Sequence, residues 1–159
     1  MNVNFFNKLS ETKRHKIYIL QSHYKDLDSS KNFLHSLDIK TLDFGKLLSE
    51  KLLKVDANRH LHILVSEFIP KLIEQNTNQI PGLSHKIVAL ENIGILLEPS
   101  FDLNAEKLLA EISKNVHLMI LWSEQSNQTG LLNWSNQRDR FNFDFTPYQP
   151  KIINYNDEI

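Results

Sequence analysis

Residues 16–37, KIYILQSHYKDLDSSKNFLHSL, hold the groups best suited to handling a phosphate. Lys25 and Lys31 are cations, Ser29 and Ser30 offer hydroxyls, and His23 and His35 add titratable imidazoles. They lie between an apolar, strand-like run at 17–20 and a helical pattern set by Phe33, Leu34 and Leu37. A helix that opens just after a strand presents unpaired backbone N–H groups and the positive end of its dipole to an anion. The spacing that closes such a loop around phosphates is GxxxxGK[ST]. Its glycines let the backbone approach, its lysine reaches the β and γ oxygens, and its hydroxyl holds magnesium. No register of this stretch satisfies it. Starting at Ser22 puts Asp28 in the lysine position and Ser29 in the hydroxyl position. Keeping Lys31 as the lysine puts Asn32 in the hydroxyl position, with Lys25 and Ser30 where glycines belong. The chain has only Gly45, Gly82, Gly94 and Gly130, none of them here.

Charge works against phosphate as well. Asp26 and Asp28 lie in the loop. At about 5 Å and an effective dielectric near 20, each carboxylate–phosphate pair repels by roughly 3 kcal/mol. Lys25 and Lys31 offset part of this. Asp28 or Ser29 is also the expected N-cap, which would place a side chain of the protein on the helix end that would otherwise face an anion.

Other reactive residues carry less. His60 and His62 are two apart, and on a helix that spacing points them to different faces, so no metal site is expected from them. Arg138 and Arg140 suit phosphate through their planar forks, with Asp139 between them as a surface partner. Phe141, Phe143 and Phe145 alternate, which sets their rings on one side of an extended segment. They serve either as packing against the sheet or as a contact strip for a partner. Lys8, Lys13, Arg14 and Lys16 form a small basic patch, read as a solvated face.

The elements that must position these residues follow from periodicity. Phe5, Phe6 and Leu9 share a helical face, giving a helix over 2–12 within an N-terminal region of 1–15. Strands are expected at 16–21, 39–44, 86–90 and 116–122, with a last edge strand at 151–155. Helices are expected at 46–55, 58–75 and 104–113, the second kinked or split by Pro70. Residues 76–85 and 123–130 read as loops. Near-continuous apolar strands alternating with helices imply a mostly parallel sheet of about five strands covered on both faces. Ligands bind beyond the carboxyl ends of such strands. Three of those ends are polar: Gln21–Ser22, Glu91–Asn92 and Ser123–Glu124.

Composition sets the frame. The chain has 159 residues, 41% hydrophobic and 23% charged, with a net charge of −1 and no cysteine. That length favours one domain with one core. The balanced charge gives no global field toward nucleic acid, and the absence of cysteine excludes disulfides and zinc–thiolate sites. No run reaches a membrane-spanning length, and the N-terminus is too polar for a signal peptide, so a cytoplasmic protein is expected.

The order of these elements is similar to that of P-loop NTPases of the ASCE type. There a phosphate loop follows the first strand, an acidic pair follows a later apolar strand, and a polar sensor follows the next. More closely, the block KIVALENIGILLEPSFDLNAEKLLAEISKNVHLMILWSE, residues 86–124, resembles the BrxF-like family of small P-loop-containing proteins in type 3 BREX bacteriophage-defence systems. The likeness extends more loosely over nearly the whole chain.

It implies a single P-loop NTPase-like domain over 1–159, a three-layer α/β sandwich whose aromatic tail, 131–159, packs on or extends the sheet. It places Ser29, Ser30 and Lys31 at a vestigial Walker A site and Glu91 where a magnesium-orienting aspartate is expected. Asn92 stands where many ATPases carry a catalytic glutamate, and an amide cannot take a proton from water. The function expected is therefore a non-catalytic subunit of an antiphage defence complex, an adaptor among other proteins, with no catalytic residue and no required cofactor or metal. A divergent ATP- and magnesium-binding subunit is one alternative. A DNA-binding accessory using Arg138, Arg140 and the aromatic tail is the other.

Overall fold

The computed structural model describes residues 3–54, 60–123, 130–133 and 142–158. Its centre is a five-stranded sheet in the order β2-β3-β4-β1-β7. The strands are β1 (Ile17–Gln21), β2 (Thr41–Asp43), β3 (Lys86–Glu91), β4 (Val116–Trp122) and β7 (Lys151–Asn154). Every pairing is parallel. β1, β3 and β4 are almost wholly buried, as strands covered on both faces must be. A separate antiparallel pair joins β5 (Leu131–Asn133) to β6 (Asn142–Asp144).

Alternation along the strands divides the core. Ile17, Ile19, Val88, Leu90, Leu118 and Ile120 face one side and pack with α3 (Phe44–Leu53), α4 (Leu61–Asn76), α5 (Ala105–Ile112) and the β5–β6 pair. Tyr18, Leu20, Ile87, Ala89, Met119 and Leu121 face the other, with α1 (Val3–Phe6) and α2 (Leu27–Ser36). The result is a three-layer α/β sandwich.

Three local features differ from the periodicity, each for a physical reason. α1 is four residues long rather than spanning 2–12; Phe5 alone seats fully, and Ser10 turns inward to donate its N–H to Tyr18 Oη at 2.8 Å. α3 begins at Phe44 instead of 46 because the Asp43 carboxylate accepts the Lys46 N–H at 3.0 Å, an N-cap that ends β2 abruptly. α4 runs through Pro70 unbroken. Ile69, Leu72 and Ile73 on either side of it are buried against the sheet, and that shared face holds both halves in line.

The aromatic tail is core where it is described. β7 extends the sheet beside β1. Phe143 and Phe145 are wholly buried and stacked, ring centroids 5.9 Å apart, with Trp122 edge-on to Phe143 at 6.1 Å. Their alternation puts them on one side, but that side is the core and not an exposed contact strip. Arg138, Arg140 and Phe141 lie outside the described residues.

Candidate functional site

The carboxyl ends of β1, β3 and β2 bring Ser22, Glu91 and Asp43 to one edge of the sheet. The chain leaves β1 through Ser22 and His23 and makes a tight 3-10 turn, Tyr24–Asp26. It then enters α2 at Leu27, whose N-cap is Asp26, with no side-chain capping bond. Asp28 is therefore not the cap: it is the second residue of the helix, exposed, with its charge in the first turn. The expected capping by Asp28 or Ser29 fails because the 3-10 turn starts the winding early, its Asp26 N–H bonding His23 O at 2.9 Å. Ser29 is exposed, and Ser30 is buried with its hydroxyl donating to Leu27 O at 2.7 Å, inside the helix.

Two of the residues singled out from sequence do meet. Strand alternation puts Glu91 on the face that α2 covers, two residues beyond Ala89. Lys31, one turn into α2, reaches it: Nζ lies 3.1 Å from Oε1. The Glu91 side chain is 10% exposed and that of Lys31 27%. A carboxylate so placed requires a partner, and the lysine provides it. The ammonium that would reach a phosphate is thus engaged within the protein.

Asn92 takes a left-handed conformation, φ 56°, and its Nδ2 donates to Asp43 Oδ1 at 3.0 Å. Asp43 thereby ties the end of β3 to the cap of α3. Gly45 allows the close approach, since a Cβ there would lie 3.2 Å from Asn92 Cβ. His35 Nε2 meets Thr41 Oγ1 at 2.9 Å, and His23 is exposed in the loop after β1. Ser22 Oγ, buried, has no hydrogen-bond partner. Of the two carboxylates described at this edge, Glu91 is paired with Lys31, and Asp43 accepts the Lys46 N–H and the Asn92 amide.

A second polar cluster sits at the opposite, amino end of the sheet, and sequence reasoning passed over it. His117, the second residue of β4, is wholly buried. Its Nε2 lies 2.9 Å from Glu11 Oε1 and its Nδ1 3.1 Å from Tyr18 Oη. His85, just before β3, places Nδ1 3.8 Å from the same Glu11 oxygen. The carboxylate also accepts the Ser84 N–H at 2.9 and 2.7 Å, the His85 N–H at 3.3 Å and the Ser84 hydroxyl. Burial works to raise the Glu11 pKa, but the hydrogen bonds from Ser84, His117 and His85 outweigh it and hold the group down at about 2. Burial lowers the pKa of His117, with Glu11 opposing. Burial pushes Tyr18 up to about 12, the Ser10 bond opposing and the Glu11 charge adding to the rise. The one signal in the sequence was a lone histidine in an otherwise apolar strand, VHLMILW.

Comparison with family models, curated proteins and solved structures finds no match to this chain. Among the described residues, no helix is long and apolar enough to cross a membrane.

Proposed function

We propose that the chain is a non-catalytic, P-loop-like subunit of a bacterial antiphage defence system of the type 3 BREX kind. In this reading it works in the cytoplasm as an adaptor or assembly module among other proteins of the complex. The defence setting rests on the resemblance of residues 86–124. Non-catalysis rests on one observation above all, the Lys31–Glu91 ion pair at 3.1 Å. It joins the cation and the acid that nucleotide chemistry would need to keep free. The glycine-free turn after β1 and the carboxylates of Asp26 and Asp28 at the start of α2 support the same reading.

Calorimetric titration of the full chain with magnesium-ATP is the direct test, with no saturable heat expected. Micromolar binding that disappears in Lys31→Ala would overturn the proposal in favour of a divergent ATP-binding subunit. One observation favours that second reading: the unpartnered, buried Ser22 hydroxyl at the end of β1, since buried polar groups ordinarily find partners. In the native host, deletion is expected to abolish phage protection. A folded Lys31→Met, Glu91→Gln variant is expected to restore it.

A further inference from the structure

We propose that Glu11, His85 and His117 form a binding site for a divalent first-row transition metal, with zinc the best fit to the ligand set. The three come from separate segments: the turn after α1, the residue before β3, and the start of β4. One ligand atom from each lies within 4.8 Å of the others. Ligands about 2.0–2.1 Å from a tetrahedral zinc stand roughly 3.3 Å apart. The Glu11 oxygen stands 2.9 Å from His117 Nε2 and 3.8 Å from His85 Nδ1, on either side of that spacing. Closing the set takes a rotation of the His85 ring, which is 30% exposed and sits in a loop.

The supporting contacts already fix the donors. Tyr18 Oη accepts the Ser10 N–H at 2.8 Å and has Ser10 O at 3.3 Å for its own proton. A metal ion on His117 Nε2 would take the place of the proton shared with Glu11 Oε1 and select the tautomer whose Nδ1–H donates to Tyr18 Oη. The 2.9 Å contact is a hydrogen bond when Nε2 is protonated, and a metal ion that displaces that proton can be shared with the second imidazole. An outer partner that orients a ligating imidazole is the usual companion of such sites. Two imidazoles and one carboxylate suit zinc and its neighbours rather than calcium or magnesium, which take oxygen sets. Glu11 and His85 are partly exposed, so a fourth position opens to solvent. The ion would pin the segment before β1 and the loop before β3 to the amino end of the sheet. Glu91 lies six residue steps along β3 from His85, about 20 Å at strand rise, so the site is independent of the reading of the other edge.

The full chain, stripped with a chelator, is titrated with zinc chloride alone by calorimetry, and with cobalt(II) to read a tetrahedral d–d band. One equivalent is expected to bind with micromolar or tighter affinity. His85→Ala is expected to weaken it at least about tenfold while leaving the circular dichroism unchanged. Because His117 is wholly buried, its variants can fail to fold, and the partly exposed His85 carries the test. His60→Ala with His62→Ala is the control and should leave affinity unchanged. Absence of saturable binding, unaltered affinity in His85→Ala, or binding lost with His60 and His62 would each overturn the site.

Discussion

Replacing Lys31 with methionine keeps the aliphatic length and removes the charge, leaving the Glu91 carboxylate, 10% exposed, without its counter-ion. At 3.1 Å and an effective dielectric near 20 the gross attraction is about 5 kcal/mol. Desolvation of both groups takes back most of it, and the net coupling should be about 1–2 kcal/mol. The single variants should differ. Lys31→Met strands a buried carboxylate and should cost about 2–3 kcal/mol. Glu91→Gln leaves an ammonium that is 27% exposed and able to turn toward water, so it should cost about 1 kcal/mol. The double variant should cost less than the sum of the two. Urea unfolding at neutral pH, followed by circular dichroism, gives all four corners of the cycle. A coupling below about 0.3 kcal/mol, or a Lys31→Met variant as stable as the parent, would refute the idea that each group of the pair depends on the other.

The amino-end cluster predicts acid sensitivity. Glu11 has a folded pKa of about 2, below its ordinary 4.5, so its contribution is fully present above pH 4.5 and fades as pH falls through 2. The shift is worth about 3 kcal/mol at face value; with the side chain 28% exposed we expect about 1–2 kcal/mol. His117, lowered by burial, adds a loss in the same direction below its unfolded pKa. Chelator-treated Glu11→Gln should show a flatter fall in urea midpoint between pH 5 and 2 than the parent, and parallel curves would contradict this. Phe143→Ala should cost about 3–5 kcal/mol in the same assay, because the ring is wholly buried between Trp122 and Phe145. A loss under about 1 kcal/mol would restore an exposed, partner-facing role.

Much of the layer structure could be read directly from the sequence. Long apolar runs such as VHLMILW have one stable use, a central strand covered twice, and Asn104 caps α5 where the pattern begins, accepting the Lys107 N–H at 3.1 Å. The alternation of Phe141, Phe143 and Phe145 marks β6 as extended, whereas β5, only three residues long, carries no measurable alternation to pair with it. At the carboxyl edge, Lys31 and Glu91 were legible as reactive residues, but not as partners of each other, since only packing of α2 on the sheet brings them together. The Glu11–His117 contact spans 106 positions, beyond any local pattern.

The sheet order has a consequence for how the chain is made. β1 is the second strand from one edge, and its outer neighbour β7 follows the sheet's other four strands in the chain. Until residues 151–154 emerge, Tyr18–Gln21 present an unsatisfied, apolar hydrogen-bonding edge that any other extended segment can join. A nascent or truncated chain lacking β7 is thus the aggregation-prone species, and β7 is the latch that covers the β1 edge.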